Sequence, residues 1–343
     1  MKKSVKSALT ATGIFLAAGA ASVAATYLTT KILVKIALDR DEPDFAKKAS
    51  DAIAGKAVDA DFLKELNSAA EKIEKEPHET VNIISFDGTR LVGHWFPSEN
   101  TERVIIAMHG WRSTWARDFG TVADFWAKNN CSVLYAEQRA QNNSEGEYMG
   151  FGLTERYDCL EWIKWATDKC GKDLPIYLCG VSMGATTVLM ASGLDLPENV
   201  HGIMADCGFT SPHAIWKHVS NNNLHLPYWL RGIFADGMFR QKINMGTRDY
   251  STVEALKNNY IPVMLIHGTD DHFVPVNMTY ENYLACAGEK RLLIVPGADH
   301  GMSHYTEPEK YEAEAKRFWK DFDSKKPKKK NSDGTPSQKP SDG

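Results

Sequence analysis

The chain of 343 residues predicts an α/β fold, a mostly parallel central sheet covered by helices. Three observations carry this. Short continuous apolar runs at 104–108, 131–136, 176–179, 201–205, 262–266 and 291–295 read as strands buried on both faces. Helical stretches alternate with several of them, as parallel neighbours require. The run at 176–179 passes through Gly180-Val181-Ser182-Met183-Gly184 directly into the Ala-, Leu- and Met-rich stretch 185–191, a strand–turn–helix with a serine at its apex.

Taken in order, the chain opens with an uncharged run from Ser7 to Thr30, preceded by Lys2, Lys3 and Lys6. As a helix it spans roughly 35 Å, enough to cross a bilayer. Its length and the following Lys31 and Lys35 predict an uncleaved membrane anchor over 1–40. A cleaved signal peptide is the alternative, with small-residue sites at Ala18-Gly19-Ala20 and Ser22-Val23-Ala24. The basic N-terminal flank leans towards a body outside the cytoplasm, and the six cysteines, which demand no disulfide, lean weakly the other way. Residues 41–77 read as one or two amphipathic helices (Phe45, Ala49, Ile53; Phe62, Leu63, Leu66, Ala70, Ile73) ended by Pro77.

The body, 78–323, begins with strands at 80–86 and 90–96 flanking Asp87-Gly88, a hairpin signal. Helices are expected over 119–128 and 155–169. Between 212 and 249 the alternation stops, and an insert rich in aromatic and aliphatic groups predicts a small helical cap. Trp216, Trp229 and Phe234 are its candidate substrate-binding residues; ordinary packing of the insert on its own domain is the competing reading. From Ser324 the chain is Lys-, Pro-, Ser-, Asp- and Gly-rich, a disordered basic tail. Basic residues crowd both ends, so the net charge of −4 conceals a strongly acidic body. That is a poor match for nucleic acid. The cysteines at 131, 159, 170, 179, 207 and 286 have no metal-ligand spacing, and no metal or organic cofactor is expected.

The G-x-S-x-G spacing has a steric reason. A serine on a sharp turn needs small residues two positions either side, and the helix that follows aims N–H groups at an oxyanion formed beside it. A serine nucleophile also needs a base and a group to orient that base. The strand at 262–266 leads into His267-Gly268-Thr269-Asp270-Asp271, and that at 291–295 into Pro296-Gly297-Ala298-Asp299-His300. The order Ser182, Asp271, His300 puts each group just past the carboxyl end of a strand, where open α/β sheets hold ligands.

On these motifs, with His109-Gly110-Trp111 after a strand and Val274-Pro275 after Asp271, the chain from about 80 to 322 resembles the α/β-hydrolase superfamily. Bacterial serine esterases and the serine-aminopeptidase-like branch are the most similar. The resemblance implies Ser182 as nucleophile, His300 as base, Asp271 as acid, and an oxyanion hole from the N–H groups of Met183 and Trp111. Asp270, Asp206 and His304 are rivals; His109 and His267 read as structural, and Arg112 and Arg117 as surface ion-pairing residues. Relatives often carry D-x-R-G-x-G-x-S where this chain has Glu137-Gln138-Arg139-Ala140-Gln141-Asn142-Asn143-Ser144. The expected activity is ester hydrolysis through an acyl-enzyme on a small acyl substrate, with membrane lipid as the contact of the N-terminal helix. A serine peptidase, an acyl thioesterase or acyltransferase, and a catalytically silent membrane-tethered binding protein are the alternatives.

Overall fold

The computed structural model describes residues 2–41 and 60–325. Phe45, Ala49, Ile53 and the basic tail after Lys325 lie outside the described residues. One eight-stranded sheet runs in the order β1-β2-β4-β3-β5-β6-β7-β8. The strands are β1 (Glu79–Ile84), β2 (Arg90–Phe96), β3 (Arg103–Met108), β4 (Cys131–Ala136), β5 (Ile176–Val181), β6 (Val200–Asp206), β7 (Val263–Gly268) and β8 (Lys290–Val295). β1 and β2 form the antiparallel hairpin, β2 pairs antiparallel with β4, and all other neighbours are parallel. β3, β4, β6 and β7 are buried along their whole length, as unbroken apolar runs demand when helices cover both faces.

Helix α1 covers Lys2–Leu38 and α2 covers Ala60–Lys75. α3 (Trp115–Lys128) starts four residues before the expected 119, because the Thr114 side chain caps it by accepting from the Arg117 N–H. It buries Trp115, Phe119, Val122, Phe125 and Trp126 on one face. α2 lies on α3 so closely that a Cβ on Gly120 would meet the Ala69 backbone at 2.8 Å, and Lys72 pairs with Asp124. The later helices are α4 (Glu155–Cys170), α5 (Met183–Ala191), α6 (Pro212–His218), α7 (Tyr228–Ile243), α8 (Thr252–Lys257), α9 (Asn277–Ala285), α10 (Ser303–Thr306) and α11 (Pro308–Phe322). The insert holds α6, a short π-helical turn over Val219–Asn223 and α7.

Two large apolar clusters fill the two faces of the sheet. A third lies at the carboxyl edge of the strands, and there α1 departs from expectation. The end of α1 is packed into the body rather than merely leading to it. Val34, Ile36 and Leu38 are buried, Val34 and Leu38 against Phe151, Met183, Phe209, Ile215, Met238 and Phe239. The backbone joins in: Arg40 N–H donates to Glu147, and Met149 N–H to Leu38. Arg112, expected to make surface ion pairs, instead donates to the carbonyls of Ile36 and Asp39 at the end of α1. A cation there satisfies carbonyls that have no intrahelical partner and meets the negative end of the helix dipole. Arg117 is exposed and its backbone serves the Thr114 cap.

The loop after β4 resolves the missing glycines. Ala140 and Asn142 stand where relatives carry Gly, and both adopt the left-handed conformation, with φ of 57° and 51°. The shape is held by the neighbours: Arg139 binds buried Asp158 and also Asp87, and the Ser144 hydroxyl donates to the Glu137 carbonyl while accepting from Val92 N–H. Arg40 closes the loop onto α1 by donating to the carbonyls of Asn142 and Ser144.

Arg112→Ala removes charge-assisted bonds worth roughly 1.5 kcal/mol at a partly exposed site. The amides of Arg40 and Met149 should then exchange hydrogen about tenfold faster than in the unaltered chain, while amides within β3 and β5 keep their protection. Native-state hydrogen exchange read by mass spectrometry measures both.

Candidate active site

The serine is held by backbone geometry. Ser182 sits between β5 and α5 at φ 55° and ψ −115°, a region that side chains other than glycine rarely adopt. Two close approaches enforce it. A Cβ on Gly180 would meet the Ala185 nitrogen at 2.5 Å, and one on Gly184 would overlap the Met108 carbonyl and lie 2.7 Å from the His109 oxygen. Those glycines let the turn fold back on itself and let α5 press against the end of β3. Ser182 N–H donates to the Asp206 carbonyl at 2.9 Å, so the turn is also tied to β6.

Three loops then meet. The Ser182 hydroxyl lies 2.9 Å from His300 Nε2, and His300 Nδ1 lies 2.7 Å from Asp271 Oδ2. With the hydroxyl donating to Nε2, Nδ1 carries the proton and donates to the carboxylate. The Asp271 carboxylate is fully enclosed. Its Oδ1 accepts from the N–H groups of Phe273 and Val274 at 2.9 and 2.8 Å, and its Oδ2 also faces His267 Nε2 at 3.0 Å. Burial alone would raise the Asp271 pKa; the His300 charge and the hydrogen bonds from His267 and His300 overcome it and hold the group below the usual carboxylate range. For His300 burial favours the neutral ring, but the charge of Asp271 wins and raises its pKa well above the ordinary value.

The rivals sit elsewhere. Asp206 is buried and accepts from the Ser303 hydroxyl at 2.8 Å; burial pushes its pKa up to about 6, against that bond and the nearby histidines. Asp270 accepts from Thr269, and His304 lies 3.6 Å from Glu312. His109 is buried, accepts from Gln138 N–H at 3.1 Å, and has its pKa lowered chiefly by burial. His267, read from sequence as structural, bonds directly to Asp271; its Nδ1 faces the Thr279 hydroxyl at 2.6 Å and its Nε2 also faces the Val274 carbonyl.

The loop carrying Trp111 backs onto the serine: a Cβ on Gly110 would lie 3.5 Å from Ser182 Cβ. Two residues that sequence reasoning missed hold this loop. Asp118, in the first turn of α3, accepts from Gly110 N–H at 2.6 Å and from the Ser113 hydroxyl at 2.5 Å. Gln141 accepts from Arg112 N–H at 2.6 Å. Met183 opens α5, where an N–H has no intrahelical acceptor.

An apolar pocket of about 620 Å³, counting the space at its mouth, opens beside Ser182. Its wall comes from Trp111, Phe151, Phe209 and Phe273, from Ile215, Trp216, Val219, Ser220 and Leu224 of the insert, and from Leu33 and Ala37 of α1. The cap assignments therefore need correction. Trp216 lines the pocket, but Trp229 does not: it is 75% exposed on the first turn of α7. Phe234 is taken up by α1, edge-on to Tyr27 at 5.3 Å between ring centres. The wall residues that the sequence did not suggest, Leu33 and Ala37, lie in the segment read as an anchor.

Cys207, Asp271 and His300 bring ligand-type atoms within 4.8 Å of one another. The set is poor for a cation. Both ring nitrogens of His300 are engaged, and burial pushes the Cys207 thiol up to about 11.

This sheet and its loops define an α/β-hydrolase, and the chemistry class that goes with it is a serine hydrolase. The model of the prolyl oligopeptidase family of peptidases matches residues 118–325, and the chain belongs to that family. It is 24% identical to the uncharacterized protein YqkD of Bacillus subtilis over 77% of this chain and 87% of that protein. It is 24% identical to YfhR of Escherichia coli, also uncharacterized, over 65% and 73%. Among solved structures, a Pyrococcus furiosus esterase superposes with a TM-score of 0.58 at 23% identity, covering 73% of this chain and 93% of that one. An acylaminoacyl peptidase of Pyrococcus horikoshii gives 0.52 at 17% identity, covering 73% and 42%. At these identities the two structures establish the fold.

The strained serine yields a stability test. Ser182→Gly should raise unfolding stability by about 1 kcal/mol, since strain of ~1–3 kcal/mol is relieved and only part is returned as glycine's unfolded-state entropy. Gly184→Ala should lower it by several kcal/mol or prevent folding. Urea titration of both variants beside the unaltered chain measures the two signs.

Proposed function

We propose that this protein is a membrane-anchored serine esterase acting through Ser182, His300 and Asp271. The observation that carries the reading is the hydrogen-bonded chain Asp271–His300–Ser182 ending at the mouth of an apolar pocket. His300 takes the hydroxyl proton as Ser182 attacks the ester carbonyl. Asp271 keeps the ring oriented and stabilises its cation. The N–H groups of Met183 and Trp111 receive the oxyanion, each worth ~3 kcal/mol. The alcohol leaves with the proton from His300, and water activated by the same ring releases the acid. Among the described residues the pocket wall is aromatic and aliphatic, with hydroxyls from Ser182 and Ser220 and no charged side chain, which suits an acyl chain better than a peptide terminus. For the anchor, the helical stretch Gly19–Leu38 is long and apolar enough to cross a membrane, as a signal sequence also would be.

The family gives a serine peptidase specific support as a second reading. Hydrolysis of p-nitrophenyl esters from acetate to palmitate, set beside aminoacyl p-nitroanilides, separates the two. The ester reading expects turnover that rises with acyl length and vanishes in Ser182→Ala; anilide cleavage with negligible ester turnover would replace it by the peptidase.

The pH profile follows from the dyad. His300 must be neutral to accept a proton, and its pKa is raised, so kcat/KM should climb with pH through a limb lying above 6.5. Asp271→Asn removes the charge that raises it, so the limb should move down while kcat falls about 10⁴-fold. Stopped pH–rate measurements on both proteins would show the opposite if Asp206 were the acid: the limb and kcat would then respond to Asp206→Asn instead.

A further inference from the structure

Apart from Ile84 and Phe86 beside the hairpin turn, Leu292 on β8, and Tyr280 and Leu284 on α9, the exposed large apolar side chains among the described residues lie together on two helices. On α1 these are Val23, Tyr27, Leu28 and Ile32; on α7 they are Trp229 and Ile233, at 75% and 65% exposure. The two helices lie side by side and parallel. Thr29 accepts from Arg231, Tyr27 packs on Phe234, and Asp39 pairs with Lys242 at 2.7 Å. Parallel packing fixes the level of each residue. Trp229 lies thirteen residues before Lys242, about 20 Å along the helix, and so stands beside Thr26 and Tyr27. It points the same way along the molecule as the amino-terminal end of α1.

That end of α1 is the uncharged run. The stretch with bilayer-spanning character within the described residues reaches Leu38, but Thr30, Val34, Ile36 and Leu38 are buried in the protein, and Lys31 and Lys35 are exposed. The lipid-immersed part must therefore end near Tyr27. Residues 7–26 carry no charge and span about 30 Å as a helix, the thickness of a hydrocarbon core. Tyr27, Trp229 and Arg231 then fall at one level, the composition of a membrane–water boundary, where aromatic rings and long cations sit. From Tyr27 it is six residues to Leu33 in the pocket wall, about 9 Å.

We propose that α1 and the first turns of α7 form one face seated in the bilayer surface, which sets the acyl pocket at the edge of the lipid, so that the substrates are acyl esters drawn from the membrane. The occupant of the face is lipid, because the face continues a helix of bilayer-spanning length. The substrate half of the statement rests on the esterase reading above; the seating half does not.

The test uses the full-length chain in phosphatidylcholine vesicles. The first readout is the ratio of turnover on a vesicle-borne long-chain acyl ester to turnover on soluble p-nitrophenyl butyrate. In the double variant Trp229→Glu, Ile233→Glu this ratio should fall at least tenfold. A ratio within twofold of the unaltered chain overturns the proposal. The second readout needs no turnover: brominated phosphatidylcholine should quench tryptophan emission, and Trp229→Phe should remove at least half of the quenched part. If neither ester is cleaved yet that quenching is lost with Trp229, the esterase fails and the seated face stands. If quenching is the same in Trp229→Phe, the seated face fails. A detergent-solubilised dimer that dissociates in the double variant would assign the face to a second copy of the chain and overturn the lipid assignment.

Discussion

The close packing of the turn around Ser182 on the end of β3 is the constraint from which the site follows. Because Gly184 has no side chain, α5 can press on the carbonyls of Met108 and His109. This one approach does two things. It holds Ser182 in a conformation costing of order 1–3 kcal/mol, lifting its hydroxyl above the sheet edge. It also brings the loop that follows β3 against the serine, with Gly110 backing directly onto Ser182. The strain is sustained by burial: β3, β5 and α5 contribute many of the residues of the two main cores, and their apolar contacts are lost only if the sheet itself comes apart.

Charge is organised around that point by burial and donors together. The Asp271 side chain has no exposed surface, yet four donors surround it, and a carboxylate so provided stays ionised where desolvation alone would neutralise it. Asp206, at the end of the neighbouring strand β6, shows the contrasting outcome. It is as deeply buried but has one hydroxyl donor among its side-chain bonds, and its pKa rises to about 6. Two acids at the sheet edge thus differ because of their donors. His267 belongs to this arrangement: by occupying Asp271 Oδ2 jointly with His300 and bonding the Val274 carbonyl, it fixes the loop that supplies the backbone donors.

Much of this was legible in the sequence because it is encoded locally. A glycine two residues either side of a serine between a strand and a helix is a steric statement, and an Asp or His directly after a strand is placed by the strand. What was not legible depends on which face a side chain takes and what lies across from it. Trp229 and Phe234 carry the same apolar signal as Trp216, but helix α7 turns Trp229 outward and gives Phe234 to Tyr27. Ala140 and Asn142 hide a glycine-like loop, since the left-handed backbone is imposed by Arg139 and Ser144 bonds rather than by residue type. Asp118 and Gln141 hold the loop before the serine across gaps of chain that no spacing rule connects. Arg112 looked like a surface cation because its acceptors are carbonyls of a helix more than seventy residues earlier.

That last contact changes what the first helix is. An anchor that only tethered would be joined to the body by a free stretch, and its sequence beyond the bilayer would be indifferent. Here the end of α1 is locked by Arg112, by the Trp111 indole donating to the Ala37 carbonyl at 2.9 Å, and by backbone bonds at Leu38 and Arg40. The indole belongs to the loop beside Ser182, so the helix and that loop share a side-chain contact. Lys31 and Lys35 stay exposed on the solvent side of the helix where its contact with the body begins. Cutting after Ala20 or Ala24 would leave Leu33 and Ala37 in the pocket wall, so that wall does not depend on the apolar residues that precede the cut. The contacts at Ala37, Leu38 and Arg40 therefore make the carboxyl end of α1 a structural part of the site.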